Sequence, residues 1–157
     1  LGFERNGMRV KLLMLACAMM LPAAAALPAA SAAEEAAPAI PPPPPGMGQV
    51  VFYRSARMGM LVSCRVRENG AVVNRLPPGK YFIHQTTPGP HIYAVRGGNY
   101  DVVRLEVEEG ETQYVRCNVS MGLRGGPNLS PQDEADFQRR GGGLDLLPPW
   151  RGGDEDD

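Results

Sequence analysis

NGAVVNRLPPGKYFIHQTTPGPH, residues 69–91, holds the grammar from which the fold is read: a turn, a strand, a Pro-Gly turn, a second strand and another Pro-Gly turn. Asn69-Gly70 is the pair that a type I′ hairpin needs, because both central positions take positive φ. The residues between the turns are rich in β-branched and aromatic side chains, which suit a pleated, half-buried surface.

Working outward, the same pattern recurs. Residues 50–55, 60–67, 71–76, 80–86, 91–96, 100–108 and 112–120 each form a short run bounded by Gly, Pro or Asn, and each is predicted as a strand. Pro77-Pro78-Gly79, Pro88-Gly89-Pro90, Gly97-Gly98-Asn99 and Glu109-Gly110 close the later corners. No connection is long enough for a crossover helix, so the expected architecture is all-β, a small antiparallel β-sandwich of about seven strands with a short C-terminal helix.

Alternation selects the buried faces. Val103, Leu105 and Val107 alternate with Arg104, Glu106 and Glu108; Val62, Cys64 and Val66 with Ser63, Arg65 and Arg67; Val115, Cys117 and Val119 with Arg116 and Asn118. Cys64 and Cys117 are therefore both expected to point inward. Two readings stay open for them: a disulfide, which at this loop length would stabilise by roughly 4 kcal/mol, or two buried thiols packed like Ala or Val. A Cys-x-x-Cys redox motif is missing.

The termini have a different composition. Met8 is followed by Arg9 and Lys11, an uncharged run from Leu12 to Leu21, Pro22, and the small residues Ala30-Ser31-Ala32-Ala33. Residues 1–32 are read as a secretory signal peptide cut near Ala32, with residues 1–7 upstream of the true start. Retention as an anchor is the rival reading; Pro22, Pro28 and the alanines make the run weakly apolar. Residues 33–48, AEEAAPAIPPPPPGMG, are expected to form a stiff polyproline spacer ahead of a domain over 49–122. Residues 123–140 are expected as a loop and a short helix over 131–140, capped by Ser130 with Pro131 in its first turn. Residues 141–157 read as a flexible Gly/Pro/acidic tail, although Leu146, Leu147 and Trp150 offer a docking motif or a tuck against the domain.

VVFYRSARMG, ENGAVVNRLPPGKYF, TTPGPHIYAV and LEVEEGETQYVRCNV, taken in that order, resemble the bacterial domain of unknown function family 2846 over about residues 48–122. Ala56 stands where that family's motif usually has Pro, and Pro90 where Lys is common. A weaker likeness is to PEGA-type surface β domains. The resemblance implies an exported β domain and brings no established catalytic residues.

Searching for chemistry yields little. His84 and His91 flank one turn with no third ligand at suitable spacing, so they are expected as surface or turn histidines and no metal or other cofactor is expected. No Gly-x-Ser-x-Gly, phosphate loop or His-Glu-x-x-His motif occurs. Arg54, Arg57, Arg65 and Arg67 form either a basic patch for anionic envelope polymers or simply a soluble surface. The full chain has a net charge of −1, and loss of the leader removes Arg5, Arg9 and Lys11 against Glu4 alone, which disfavours nucleic acid as a partner. The expectation is a periplasmic or otherwise exported, non-enzymatic interaction or structural module of the bacterial envelope, with an envelope protein as partner and no stable membrane insertion after cleavage. The alternative is a small-ligand or glycan-binding domain using Tyr53, Arg54, Arg57 and Tyr81.

Overall fold

The structure, a computed structural model, describes residues 35–55, 61–96, 100–120, 122 and 125–152. All lie in the second of two compact units, Ala33–Asp157. The expected leader, Arg57, the Gly97-Gly98-Asn99 corner and the acids of 154–157 fall outside the described residues.

The described residues form β1 (Gly48–Arg54), β2 (Cys64–Glu68), β3 (Ala71–Leu76), β4 (Lys80–Thr86), β5 (Gly89–Arg96), β6 (Tyr100–Val107), β7 (Thr112–Ser120), β8 (Gly126–Gln132), helix α1 (Glu134–Arg140) and a two-residue β9 (Asp145–Leu146). A five-stranded sheet runs β8-β7-β1-β4-β9, and a four-stranded sheet runs β3-β2-β5-β6. The expected all-β fold of small size is therefore present. Asn69 and Gly70 take φ of 48° and 88° and join β2 to β3 as an antiparallel hairpin.

The wiring departs from the expected antiparallel scheme. β1 pairs β7 in parallel, Val51 opposite Tyr114, and β4 pairs β9 in parallel. A crossover helix is unnecessary because the chain visits the four-stranded sheet twice between β1 and β7 and returns each time. Pro77-Pro78-Gly79 and Thr87-Pro88 carry two of these changes of sheet, where a residue without an amide hydrogen forfeits no ladder bond. The predicted strand over 60–67 begins only at Cys64. Leu61 and Val62 are exposed, and the Val62 carbonyl accepts from the Arg54 guanidinium instead of joining a ladder.

One core lies between the sheets. Val50, Phe52, Phe82, Val115 and Leu129 of one sheet meet Val66, Leu76, Tyr93, Val103, Leu105 and Val107 of the other. Phe52 stacks on Phe82 and meets Tyr93 edge-on, each at 5.0 Å between ring centres. The Cys64–Cys117 disulfide crosses this core from β2 to β7, with Cα atoms 6.6 Å apart, so of the two cysteine readings the bridge is the one formed.

A second core covers the other face of the five-stranded sheet. Phe137 of α1 contacts Tyr53, Tyr81 and Tyr114 at 5.2–6.0 Å, alongside Val51 and Leu144. Ala37 and Ile40 pack there too, so the proline-rich segment is a strap laid over the sheet and not a free spacer. The Gln49 amide donates to the Pro41 carbonyl at 2.6 Å, and the Gly110 amide donates to Met47 at 2.9 Å. The strap lies so close to residues 141–143 that a Cβ on Gly142 would sit 2.0 Å from the Glu35 carbonyl oxygen.

The C-terminal expectations change accordingly. Ser130 and Pro131 belong to β8, which pairs with β7, and the helix starts later with Asp133 as its cap, accepting from the Asp136 amide. Residues 141–152, expected as flexible, are held in place. Leu144 is buried, the Asp145 amide donates to Gly79, the Leu147 amide donates to Tyr81, and the Asn74 side chain donates to the Pro148 carbonyl.

Replacing both Cys64 and Cys117 by Ala is expected to lower stability by about 3–4 kcal/mol, given the length of loop the bridge closes. Guanidinium unfolding of wild type with and without reductant, beside the double variant, measures this; identical midpoints would contradict it.

Candidate functional site

Of the four residues chosen from sequence, the three described ones, Tyr53, Arg54 and Tyr81, are buried and do not form an exposed binding surface, unlike that expectation. Tyr53 is fully buried under Phe137, and Tyr81 is nearly so in the same cluster. Arg54 is 2% exposed, with its guanidinium against the Val62 carbonyl and the Cys64 sulfur, and burial lowers its pKa. Tyr53 and Arg54 fall in the predicted strand over 50–55 and Tyr81 in that over 80–86; the cover that Phe137 and Leu144 give to Tyr53 and Tyr81 comes from residues distant in sequence. Arg57 lies outside the described residues.

Tyr53 leads to a polar network at the helix. Its hydroxyl donates to Asp136 Oδ2 at 2.5 Å, Arg116 donates to the same oxygen at 3.0 Å, and Arg139 and Arg140 donate to Oδ1 at 3.1 and 2.9 Å. Burial alone would raise the pKa of the Asp136 carboxyl. The hydrogen bonds from Tyr53 and Arg140, with the charges of Arg116 and Arg140, outweigh burial and hold it at about 2. The phenol of Tyr53 is pushed up, first by its burial and then by the carboxylate it bonds. This network docks α1 on β1 and β7, a structural task.

A second polar group sits at one end of the inter-sheet core, where sequence reasoning expected surface or turn histidines. β4 and β5 turn His84 and His91 inward, and both meet Glu68 of β2: His84 Nε2 lies 2.9 Å from Oε2 and His91 Nδ1 lies 2.6 Å from Oε1. The Tyr93 ring lies against both imidazoles. Burial favours the protonated acid at Glu68, but the hydrogen bonds from His91 and His84 prevail and lower its pKa. An ionised carboxylate only accepts, so both facing ring nitrogens carry hydrogen. His91 Nε2 also faces the Thr87 carbonyl at 2.8 Å. Glu68 was missed because it lies just beyond the strand predicted over 60–67, beside the Asn69-Gly70 turn. The register Glu68 opposite Tyr93 is the signal that places it, and that comes from pairing β2 with β5. Among the described residues no group of three or more His, Cys, Asp or Glu is arranged to hold a metal ion.

Beside this group runs a shallow cleft of about 400 Å³ between β3 and β4, where Trp150 and Pro149 stand near Glu68, His84 and Asn74. Its aromatic wall comes from the C-terminal segment that Asn74 anchors through Pro148. A wider recess of about 740 Å³ follows the strap, lined by Glu35, Ser55, Gln138 and Arg139.

The remaining exposed feature is the outer face of the four-stranded sheet. Arg65 and Arg67 (β2), Arg75 (β3), Arg96 (β5) and Arg104 (β6) lie there with a single acid, Glu106, because their strand neighbours Cys64, Val66, Leu76, Val95, Val103 and Leu105 fill the core. Ile92, Tyr100 and Val102 stand exposed between the arginines.

Matching the chain against protein-family models, curated proteins and solved structures finds no similar protein.

Replacing Asp136 by Asn leaves Arg116 against a neutral partner and is expected to cost about 3 kcal/mol at pH 7. Because the folded pKa is depressed, the carboxylate's contribution is complete above the unfolded value near 4 and is lost as pH falls toward 2. The difference between wild-type and variant unfolding free energies should therefore shrink across that window. A constant difference would contradict the linkage.

Proposed function

We propose that this chain is an exported, non-enzymatic β-sandwich serving as an interaction or structural module of a bacterial cell envelope. The observation that carries the reading is the Cys64–Cys117 bridge through the core: a disulfide in a small β domain suits an oxidising compartment, the destination that the sequence of residues 8–33 also suggests.

The non-enzymatic part rests on what the titratable groups are bonded to. Asp136 spends its oxygens on Tyr53 and three arginines, and Glu68 spends its oxygens on two histidines. A general acid or base needs a proton path to a substrate, whereas these groups hold strands and a helix together.

The cleft at Trp150 favours a second reading, a small-ligand or glycan-binding domain. An aromatic wall beside a carboxylate, an imidazole and an amide supplies both a stacking plane and hydrogen-bonding groups for a polar ring. Trp150 is the sole tryptophan, so its fluorescence reports on this cleft without interference.

The full chain, produced in a Gram-negative host, is expected in the periplasmic fraction with an N-terminal peptide starting near Ala33 and with Cys64 and Cys117 recovered as a linked peptide. Recovery in the cytoplasm with both thiols free would overturn the export reading. Titration of the purified protein with envelope oligosaccharides separates the two functions. Saturable quenching of Trp150, abolished when Asn74 is changed to Ala, would select the binding domain, and an unchanged spectrum would select the interaction module.

A further inference from the structure

We infer that the outer face of the four-stranded sheet docks on a membrane surface rich in anionic phospholipid. The two sheets differ in how their outer faces are treated. The five-stranded sheet is covered by the strap, α1 and Leu144, whereas no described element packs on the outer face of β3-β2-β5-β6. Ile92 and Val102 are 43% exposed there and Tyr100 is 66% exposed.

The face carries one sign of charge. Five arginines stand against Glu106, in a chain whose overall balance is slightly acidic. Arg65, Arg67 and Arg104 make no ion pair among the described residues, and Arg96 lies over the Tyr100 ring at 5.4 Å. Guanidinium groups bind phosphate in bidentate geometry and are weakly hydrated, so they approach a headgroup layer at low desolvation cost.

Shape selects a membrane among polyanions. The clefts at Trp150 and along the strap are lined mainly by residues elsewhere; of the five arginines only Arg75 lines one, at the β3 edge beside Pro77 and Trp150, and Arg65, Arg67, Arg96 and Arg104 line none of them. Three apolar side chains interleaved with the arginines have little to gain from a hydrated polysaccharide. They do fit the boundary between headgroups and acyl chains, where Tyr is favoured and Arg keeps its charge at headgroup level. The acids Glu108, Glu109 and Glu111 follow β6 at the end of the face marked by Glu106, so repulsion would tilt that end away and bring the Arg96–Tyr100 end down first.

This surface gives a partner to the envelope module proposed above, but its test uses purified protein and so is independent of where the chain resides. The disulfide-bonded protein is mixed at low salt with phosphatidylcholine vesicles containing about one-third phosphatidylglycerol, and bound protein is measured by flotation. Binding is expected, falling steeply between 50 and 300 mM salt on the order of the screening change. Each arginine near an anionic surface contributes about fivefold, so the triple change of Arg65, Arg67 and Arg104 to Gln should weaken binding roughly 100-fold, while Arg139→Gln, on α1 over the opposite sheet, leaves it unchanged. If the triple variant misfolds by circular dichroism, the exposed pair Arg96→Gln and Arg104→Gln should still give about a 25-fold loss. Absence of binding, equal binding to pure phosphatidylcholine, or full binding by the folded variants would each overturn the inference. Stripping of the protein from vesicles by dextran sulfate at matched charge concentration, with tighter binding to that polymer, would assign the face to a polyanionic glycan instead.

Discussion

Every part of the described fold answers to the burial of β1. All seven of its residues are buried, so Gly48–Arg54 needs cover on both faces as well as partners on both edges. The edges are met by β4 and β7. One face is met by the four-stranded sheet, and the other by a patchwork that no regular element supplies alone: Ala37 and Ile40 of the strap, Phe137 of a two-turn helix, and Leu144. A helix this short has little stability of its own in water. It persists because Phe137 fills the space among three tyrosines and Asp136 draws Tyr53 and Arg116 onto the same spot.

The buried polar groups mark where strands turn a charge inward, and each is answered locally. Arg54 ends β1 on the core face and reaches the Val62 carbonyl, which takes residues 61–63 out of the ladder before β2 begins at Cys64. Glu68 ends β2 on the core face and is met by His84 from one sheet and His91 from the other. Removing any one partner would leave a desolvated charge, a far larger penalty than losing an exposed ion pair such as Lys80–Asp145. These contacts fix which strand ends meet across the sandwich, a specificity that apolar packing alone supplies weakly.

How much of this was legible follows from the range over which each signal acts. Asn69-Gly70, the Pro-Gly corners and the alternation in β6 and β7 are local, and they identified seven strands and the inward cysteines. β8 was hidden by its own composition: Pro127 and Pro131 argue against a strand unless it is an edge whose outward positions need no donor. The structure puts them there, and the one outward amide between them, that of Leu129, donates to Asp101 at 2.6 Å. The run VVFY was the available sign that β1 is buried twice, since a strand with one wet face alternates. The strap and residues 141–152 could not be read this way. Their order depends on contacts with Tyr53, Tyr81 and Gly79, distant in sequence, and polyproline with a glycine run looks alike whether free or docked.

The edges and faces together constrain how such a sandwich can meet another molecule. Strand addition needs an unblocked edge. β8 has lost its outward donors to proline and to Asp101, and beside β4 the ladder is already continued by β9 at Lys80 and Tyr81. On β3 the Arg75 amide is taken by the neighbouring Asn74 side chain, which also holds the C-terminal segment against that edge. The β8 edge is therefore closed, β9 covers the β4 edge only at Lys80 and Tyr81, the β3 edge is partly occupied, and β6 forms the fourth edge. The outer face of β3-β2-β5-β6 is the broad surface left uncovered by any described element, and its contact with another molecule would have to come through side chains. Arginine with interleaved Ile, Val and Tyr is the composition found there, so recognition by charge over an area follows from the same covering scheme that made β1 stable.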